Sequence, residues 1–258
     1  MSYVRLKHTL AGIALGALTN SHDALVAKLL LAYARKAGAR HDVPAAALTR
    51  GTGMGGEEAR ELLLGTGLFD RPPGGGTVSL APSYREFLPY LRRQAARTVV
   101  AVRLLESPRP PDISGDVERG AALFNAGLFF ECHEYLEDVW RETTNADRGF
   151  YHGLVQAAAG CYHLEKGNAH GARTLIQKAI AKLQPYAPTH GGIDVAAFLS
   201  GLHAVITALD AGPSPHIPDR RALPTMPLVD GPLRAQGIPA RRCTPRRLTA
   251  SPGSDATR

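Results

Sequence analysis

From Gly149 to Leu164 the chain reads GFYHGLVQAAAGCYHL, with no Asp, Glu, Lys or Arg. A helix without charged side chains is apolar nearly all round and persists in water only when other elements cover most of its circumference. This stretch is therefore expected at the centre of a helical domain. Its polar groups still fall into line. At about 100° per residue His152, Gln156, Ala159 and His163 share one narrow stripe, opposite Leu154, Ala158 and Cys161. The run FNAGLFFECHEYLEDVW just before it behaves similarly: Phe129, His133, Leu136 and Trp140 stand at i, i+4, i+7 and i+11, with Glu137 one turn beyond His133. Two helices that each carry a polar line on an apolar surface are expected to face those lines toward each other. His133 should then lie within direct or one-water reach of Gln156 or His163.

That run and the later GLVQAAAGCYHLEKGNAHGA together resemble the bacterial and plant family catalogued as domain of unknown function 309. The resemblance spans roughly residues 115–185 and rests on a combination of HE, E, W, Q and H positions. The family is all-helical and has no assigned activity. The resemblance implies a site at Asn125, His133, Glu134, Glu137, Trp140, Gln156 and His163, and names no reaction.

The chemistry open to these residues divides three ways. His133-Glu134-x-x-Glu137 matches the first half of the zinc-protease HExxH, with a glutamate in place of the second histidine. An i, i+4 His/Glu pair can hold a divalent metal, and His163 on the facing helix would supply a third ligand. Glu134, about 100° round from His133, suits a supporting or general-base role. Without metal, His133 or His163 could act as base while Gln156 holds a carbonyl. Alternatively the His-Glu-Gln-His set closes on itself as a structural network that fixes helix register. In that reading Asn125 caps or bridges a helix end, and Trp140 is a core residue whose indole N–H finds an acceptor. Cys132 and Cys161, among small residues, read as packing.

The net charge of +7 conceals a segregation: residues 1–105 carry +7, residues 106–212 carry −5, and residues 213–258 carry +5. A polyanion would therefore meet the ends of the chain and not its centre. Three scattered cysteines make neither a disulfide framework nor a Cys-rich zinc site, so a reducing cytoplasm is expected. Arg5, Lys7 and TLAGIALGALT imitate a signal peptide, but His8 interrupts the pattern and no A-x-A site follows in place. No apolar run is long enough to span a bilayer.

In the N-terminal part, Ser21 to Lys36 predicts a helix, Asp42 caps a second over Val43 to Arg50, and Glu57 to Leu64 form a third. GLFDRPPGGGTVSL then predicts a hairpin, the one sheet expected in the protein. Three helices followed by a hairpin are similar in outline to a winged helix-turn-helix. Nucleic-acid contact by residues 21–105 would fall to Arg40, Arg50, Arg71, Arg92 and Arg93, because the third helix carries Glu57, Glu58 and Glu61 against Arg60. Docking or homodimerisation through a long helix ending near Leu105 is the alternative. Gly51, Gly53 and Gly56 spell GxGxxG, but a helix and not a strand precedes them, so they read as a helix-helix turn. Ser83 and Glu86 form a capping box ahead of that long helix.

The expected architecture is mainly α. A small winged-helix-like module over 1–106 and a Pro-rich linker over 107–114 lead into an antiparallel bundle over 115–212. Its helices are expected at about 115–126, 128–142, 148–166, 169–184 and 193–210. Gly127, Cys132 and Leu136 recur forty residues on as Gly167, Ala172 and Ile176, the small-then-large spacing of tetratricopeptide-like hairpins. From 213 the basic Pro/Arg-rich tail, with its RRCTPRR, is expected to be disordered and is a second place for nucleic acid to touch. Functionally this describes a cytoplasmic binding or regulatory protein with a buried His/Glu/Gln pocket. The alternatives are a metal-dependent hydrolase using His133, Glu134, Glu137 and His163, and a DNA-binding regulator acting through the N-terminal module.

Overall fold

The structure is a computed structural model and describes residues 2–38, 41–106, 115–211 and 223–229. Among these residues the chain is mainly helical. Helices α1 (Ser2–Ala17) and α2 (Ser21–Lys36) form an antiparallel pair, with α2 opened by Asn20, whose Oδ1 accepts from the Asp23 amide at 2.8 Å. Strand β1 (Asp42–Pro44), a 3-10 turn and α3 (Gly56–Gly65) follow. Strands β2 (Phe69–Asp70) and β3 (Thr77–Leu80) close a three-stranded antiparallel sheet in the order β1-β3-β2. A short 3-10 segment over Pro82–Phe87 leads into α4 (Leu88–Glu106).

Two expectations for this part change. Residues 42–44 are a strand and not the start of a helix, because Asp42, Val43 and Pro44 pair with Ser79, Val78 and Thr77. That pairing spans more than thirty residues, and local capping chemistry carries no trace of it. Ser83 and Glu86 form no capping box, because Pro82–Phe87 is a 3-10 segment without a side-chain cap hydrogen bond. The stretch that imitates a signal peptide, not expected to be one, is the packed helix α1, with Leu6 and Leu10 buried. Among the described residues no helix is long and apolar enough to cross a membrane.

Tyr33 holds this unit together. It is fully buried, stacks edge-on against Phe69 at 4.8 Å, and its hydroxyl donates to the His41 carbonyl at 2.7 Å while accepting from the Leu80 amide at 2.9 Å. One side chain thereby ties α2 to the loop before β1 and to β3.

Beyond the 107–114 segment, α5 (Gly115–Ala126), α6 (Phe129–Glu142), α7 (Arg148–Glu165), α8 (Ala169–Leu183) and α9 (Val195–Asp210) fall within two residues of the helices expected from the pattern. A short hairpin, β4 (Thr189–His190) with β5 (Ile193–Asp194), precedes α9, so the sheet in the N-terminal unit is not the sole one.

The forty-residue echo is a packing repeat. Gly127 and Gly167 both adopt left-handed backbone, φ +80° and +73°, at the turns that close α5–α6 and α7–α8. A Cβ on Gly120 would come within 2.7 Å of Leu136, and one on Gly160 within 2.7 Å of Ile176. In each hairpin a large apolar side chain therefore presses onto a glycine of the preceding helix. Cys132 and Ala172 occupy the equivalent fully buried small positions.

Two apolar cores result, and α1 and α4 contribute to both. Leu6, Leu10, Leu91 and Ala95 belong to the N-terminal core, whereas Ala14, Leu18 and Ala101 belong to the helical one. Helix α4 is thus a wall shared by both cores.

Candidate functional site

Helix α6 buries Phe129, Cys132, Leu136 and Val139, and this apolar face fixes its rotation. His133 and Glu137, one residue off that face, are left at its margin with their side chains only about a quarter exposed. His133 Nδ1 lies 3.2 Å from Glu134 Oε1, and its Nε2 lies 3.8 Å from Glu137 Oε2. One ligand atom from each of His133, Glu134 and Glu137 falls within a 4.8 Å cluster. Glu137 also accepts from Arg141 at 2.8 Å. The hydrogen bond with His133 holds the Glu134 carboxyl below its usual range against the opposing effect of burial, with further lowering from the nearby His133, Lys7 and His8. Lys7 and His8 come from α1, where Lys7 Nζ sits 3.7 Å over the Phe130 ring and His8 meets that ring edge-on.

One and two turns further along, α6 and α7 make a second polar set. The His152 ring lies 4.5 Å from Trp140, and the Arg148 guanidinium sits 4.6 Å from the same indole. Arg148 also donates to the Trp140 and Thr143 carbonyls at 2.8 Å each, covering the C-terminal end of α6. Gln156 Nε2 stands 3.3 Å from His152 Nε2. Trp140 Nε1 and Gln156 Oε1 are buried without a partner among the described residues, a donor on one helix and an acceptor on the helix packed against it. Burial, with Lys182 and Arg148 nearby, keeps His152 below its ordinary pKa, so the ring is neutral near pH 7.

The seven sequence-predicted positions are thus distributed over four places. His133, Glu134 and Glu137 come together, and Trp140 and Gln156 come together through His152. His163 is elsewhere: its Nδ1 is 2.9 Å from Asn168 Nδ2 at the α7–α8 turn, where Asn168 also caps α8 through the Gly171 amide. Among the described residues no direct hydrogen bond joins His133 to Gln156 or His163. The third carboxylate or imidazole beside His133 and Glu137 is Glu134. Asn125 faces the other way, and its amide pairs with the backbone of Met226.

A further ionisable group went unread in the sequence. Glu131 is 1% exposed and accepts from Gln94 Nε2 of α4 at 3.0 Å, at the seam between the two cores. Burial pushes its carboxyl up to about 7; Glu165 adds to the rise, while Arg97 and Lys7 oppose it. The available signal was its spacing, three residues after Leu128 and four before Tyr135, on a side of α6 that a solvated glutamate would avoid.

The arginines named for nucleic acid are differently employed. Arg71 pairs with Glu61 at 2.7 Å, and Arg92 Nε donates to the Ala34 carbonyl at the end of α2 at 2.9 Å. Arg93 lies 4.0 Å from Glu165 and over the Tyr90 ring. Arg50 is exposed in the loop before α3, and Arg40 lies outside the described residues.

One segment of the chain matches a family model. Residues 117–175 match the Domain of unknown function (DUF309). The matched segment runs from α5 into α8 and contains every predicted site residue of the helical domain. Two curated relatives are similar to parts of the chain. An uncharacterized protein of Aquifex aeolicus (strain VF5) is 23% identical over 128 residues, 49% of this chain and 38% of the relative. Uncharacterized protein YpuF of Bacillus subtilis (strain 168) is 40% identical over 57 residues, 22% of this chain and 33% of that protein. The chain therefore spans 38% and 33% of the length of these two relatives. No solved structure matches it.

Proposed function

We propose that the DUF309 segment binds a divalent first-row metal through His133, Glu134 and Glu137, and that the protein acts as a metal-responsive binding or regulatory protein. The observation that supports this is the convergence of one imidazole and two carboxylates within 4.8 Å on a half-buried helix margin. One nitrogen and two oxygens are a donor set suited to zinc, manganese or iron(II), and three protein ligands leave coordination positions for an outside ligand. The Trp140–His152–Gln156 set along the same helix pair would orient such a ligand through the indole N–H and the amide oxygen.

Hydrolysis is the weaker reading. The hydrolase set needs His163 as third ligand and Glu134 as free base, whereas His163 is engaged by Asn168 and Glu134 is drawn to His133. The N-terminal unit we read as a winged-helix-like docking module, supported by its helix-strand-helix-hairpin order and its β1-β3-β2 sheet. Its acidic α3 and the structural use of Arg71 and Arg92 favour a protein partner over phosphate. Two free, buried thiols, Cys132 and Cys161, suit the reducing cytoplasm.

The test is metal analysis of untagged protein, with calorimetric titration of zinc and manganese into parent, His133→Ala and Glu137→Gln chains. One equivalent bound by the parent and none by His133→Ala is expected. A parent that binds no stoichiometric metal would remove the reading.

A further inference from the structure

Helix α1 belongs to both cores, with Leu6 and Leu10 in the N-terminal one and Ala14 in the helical one, and between these anchors it meets α6. At the meeting point Lys7 and His8 bracket one ring. The Lys7 ammonium lies 3.7 Å over Phe130, and the His8 ring approaches it edge-on with centroids 6.2 Å apart. Phe130 and Glu134 stand at i and i+4 on α6, so their side chains are neighbours about 5–6 Å apart at Cβ. The α1 pair is felt at that next turn, since Lys7 and His8 both lower the Glu134 carboxyl.

The cluster of His133, Glu134 and Glu137 is one donor short of a four-coordinate site. Two carboxylates already cancel the charge of a divalent ion, so a neutral nitrogen is the donor that fits. Of the two α1 side chains, Lys7 is excluded, because an ammonium has no lone pair to give and this one is held over Phe130. His8 differs. It is exposed, stands just outside the three-ligand group, and among the described residues its ring nitrogens make no hydrogen bond. The ring can therefore swing toward Glu134 without breaking one.

Resting on the reading of this cluster as a metal site, we propose that His8 is the fourth protein ligand and that the bound metal clamps α1 onto α6. Three ligands then come from the matched segment and one from outside it. Because α1 contributes to both cores, a link from His8 through the metal to α6 ties the N-terminal unit to the helical domain. Metal occupancy thereby sets how firmly the two units hold together, and this is the means by which the protein responds to metal. Zinc is closed by four protein donors, whereas manganese or iron(II), which take up to six, keep positions for an outside ligand.

The test titrates zinc, and cobalt(II) as its spectroscopic substitute, into the untagged full chain and into His8→Ala, His8→Cys and Lys7→Gln variants. In chelator His8→Ala should melt with the parent, its side chain being exposed. It should bind zinc at least roughly tenfold more weakly, and its cobalt complex should lose the absorption intensity of a tetrahedral site. His8→Cys is expected to restore binding and to add a thiolate-to-cobalt absorption absent from the parent, which only a ligand at position 8 produces. Lys7→Gln should bind zinc no more weakly than the parent, since it removes a repelling charge. Hydrogen exchange in α1 should slow on zinc binding in the parent and not in His8→Ala. If the parent binds zinc and His8→Ala matches it in affinity and cobalt spectrum, or if His8→Cys shows no thiolate absorption, the proposal is overturned and the three-ligand site stands. Equal weakening by Lys7→Gln assigns the effect to α1 packing and overturns it too. A parent that binds no stoichiometric metal removes the metal reading itself, and this inference with it.

Discussion

The N-terminal unit and the helical domain use their polar side chains in opposite ways. In the first, well-placed polar groups end on backbone: Tyr33 on His41 and Leu80, Arg92 on Ala34, and Arg85 on Leu80. Each satisfies a group the fold would otherwise leave unpaired, and such bonds serve stability. In the second, polar groups on α6 and α7 meet one another. They gather three potential metal ligands at a half-buried margin, whereas buried polar atoms without a partner among the described residues occur in both regions, at His41 Nδ1, Arg60 Nε and Gln94 Oε1 as at Trp140 Nε1 and Gln156 Oε1. Stability there comes from apolar pairs such as Leu136 on Gly120 and Ile176 on Gly160. The polar line is accordingly where function is expected, since groups that do little for stability are retained for another reason.

The largest effect should come from the apolar pairs. Leu136→Ala and Ile176→Ala should each destabilise by about 2–5 kcal/mol in urea melts, because both remove a fully buried side chain from a closely packed hairpin. A loss below about 1 kcal/mol for one of them would break the equivalence of the two hairpins.

Glu131, at the seam between the regions, should give the next effect. Its carboxyl is raised from an ordinary 4.5 to about 7. Below pH 4.5 the folded and unfolded states are both protonated and there is no penalty. Between 4.5 and 7 the unfolded chain ionises first, so stability falls as pH rises, and above 7 the loss is complete at about 3 kcal/mol. Glu131→Gln removes the ionisation and presents an N–H to Gln94 Oε1, which is buried without a partner. The variant should therefore be more stable than the parent by about 1–3 kcal/mol at pH 8 and nearly equal to it at pH 4.5. Melts at the two pH values check both sign and window; equal differences at the two would refute the assignment.

Tyr33→Phe should cost about 1–3 kcal/mol, because the buried Leu80 amide and the His41 carbonyl both lose their partner. His133→Ala should cost less than about 1 kcal/mol, its partners being partly solvated carboxylates. The contrast between these two hydrogen-bonding side chains sharpens the comparison directly. If His133→Ala proves the more damaging in thermal melts run with chelator, the polar line is a structural network after all.

The helices from 115 to 210 were legible because each carries apolar residues at helical spacing and a glycine or Asn at its turn, and the repeat of Gly127 at Gly167 marked the hairpins. Strand β1 was not legible, since Asp42 and Pro44 carry the local chemistry of a helix start and the pairing with β3 is distant in sequence. The rotation of α6 brought His133 and Glu137 together as the i, i+4 spacing implied. Spacing on α7 said nothing of which group lies nearest in space, and Asn168, five residues from His163, reaches it first. Glu131 was overlooked because its partner Gln94 lies on another helix. Residues 223–229 were expected within a disordered tail because prolines break any helical or strand pattern there, yet Met226 packs into the helical core and Leu228 bridges Ile193. Expectations for Arg40, the linker at 107–114 and the RRCTPRR run fall outside the described residues.

The central claim is that the polar line on α6 binds a metal and does not merely hold the helices. Thermal unfolding of the parent and of His133→Ala, each with chelator and with zinc at about a hundred times the dissociation constant, tests it most directly. Linkage predicts that zinc stabilises the parent by about 2.7 kcal/mol and leaves His133→Ala unmoved, while the two chains melt nearly together in chelator. A parent unmoved by zinc, or a variant stabilised as much as the parent, would contradict the account.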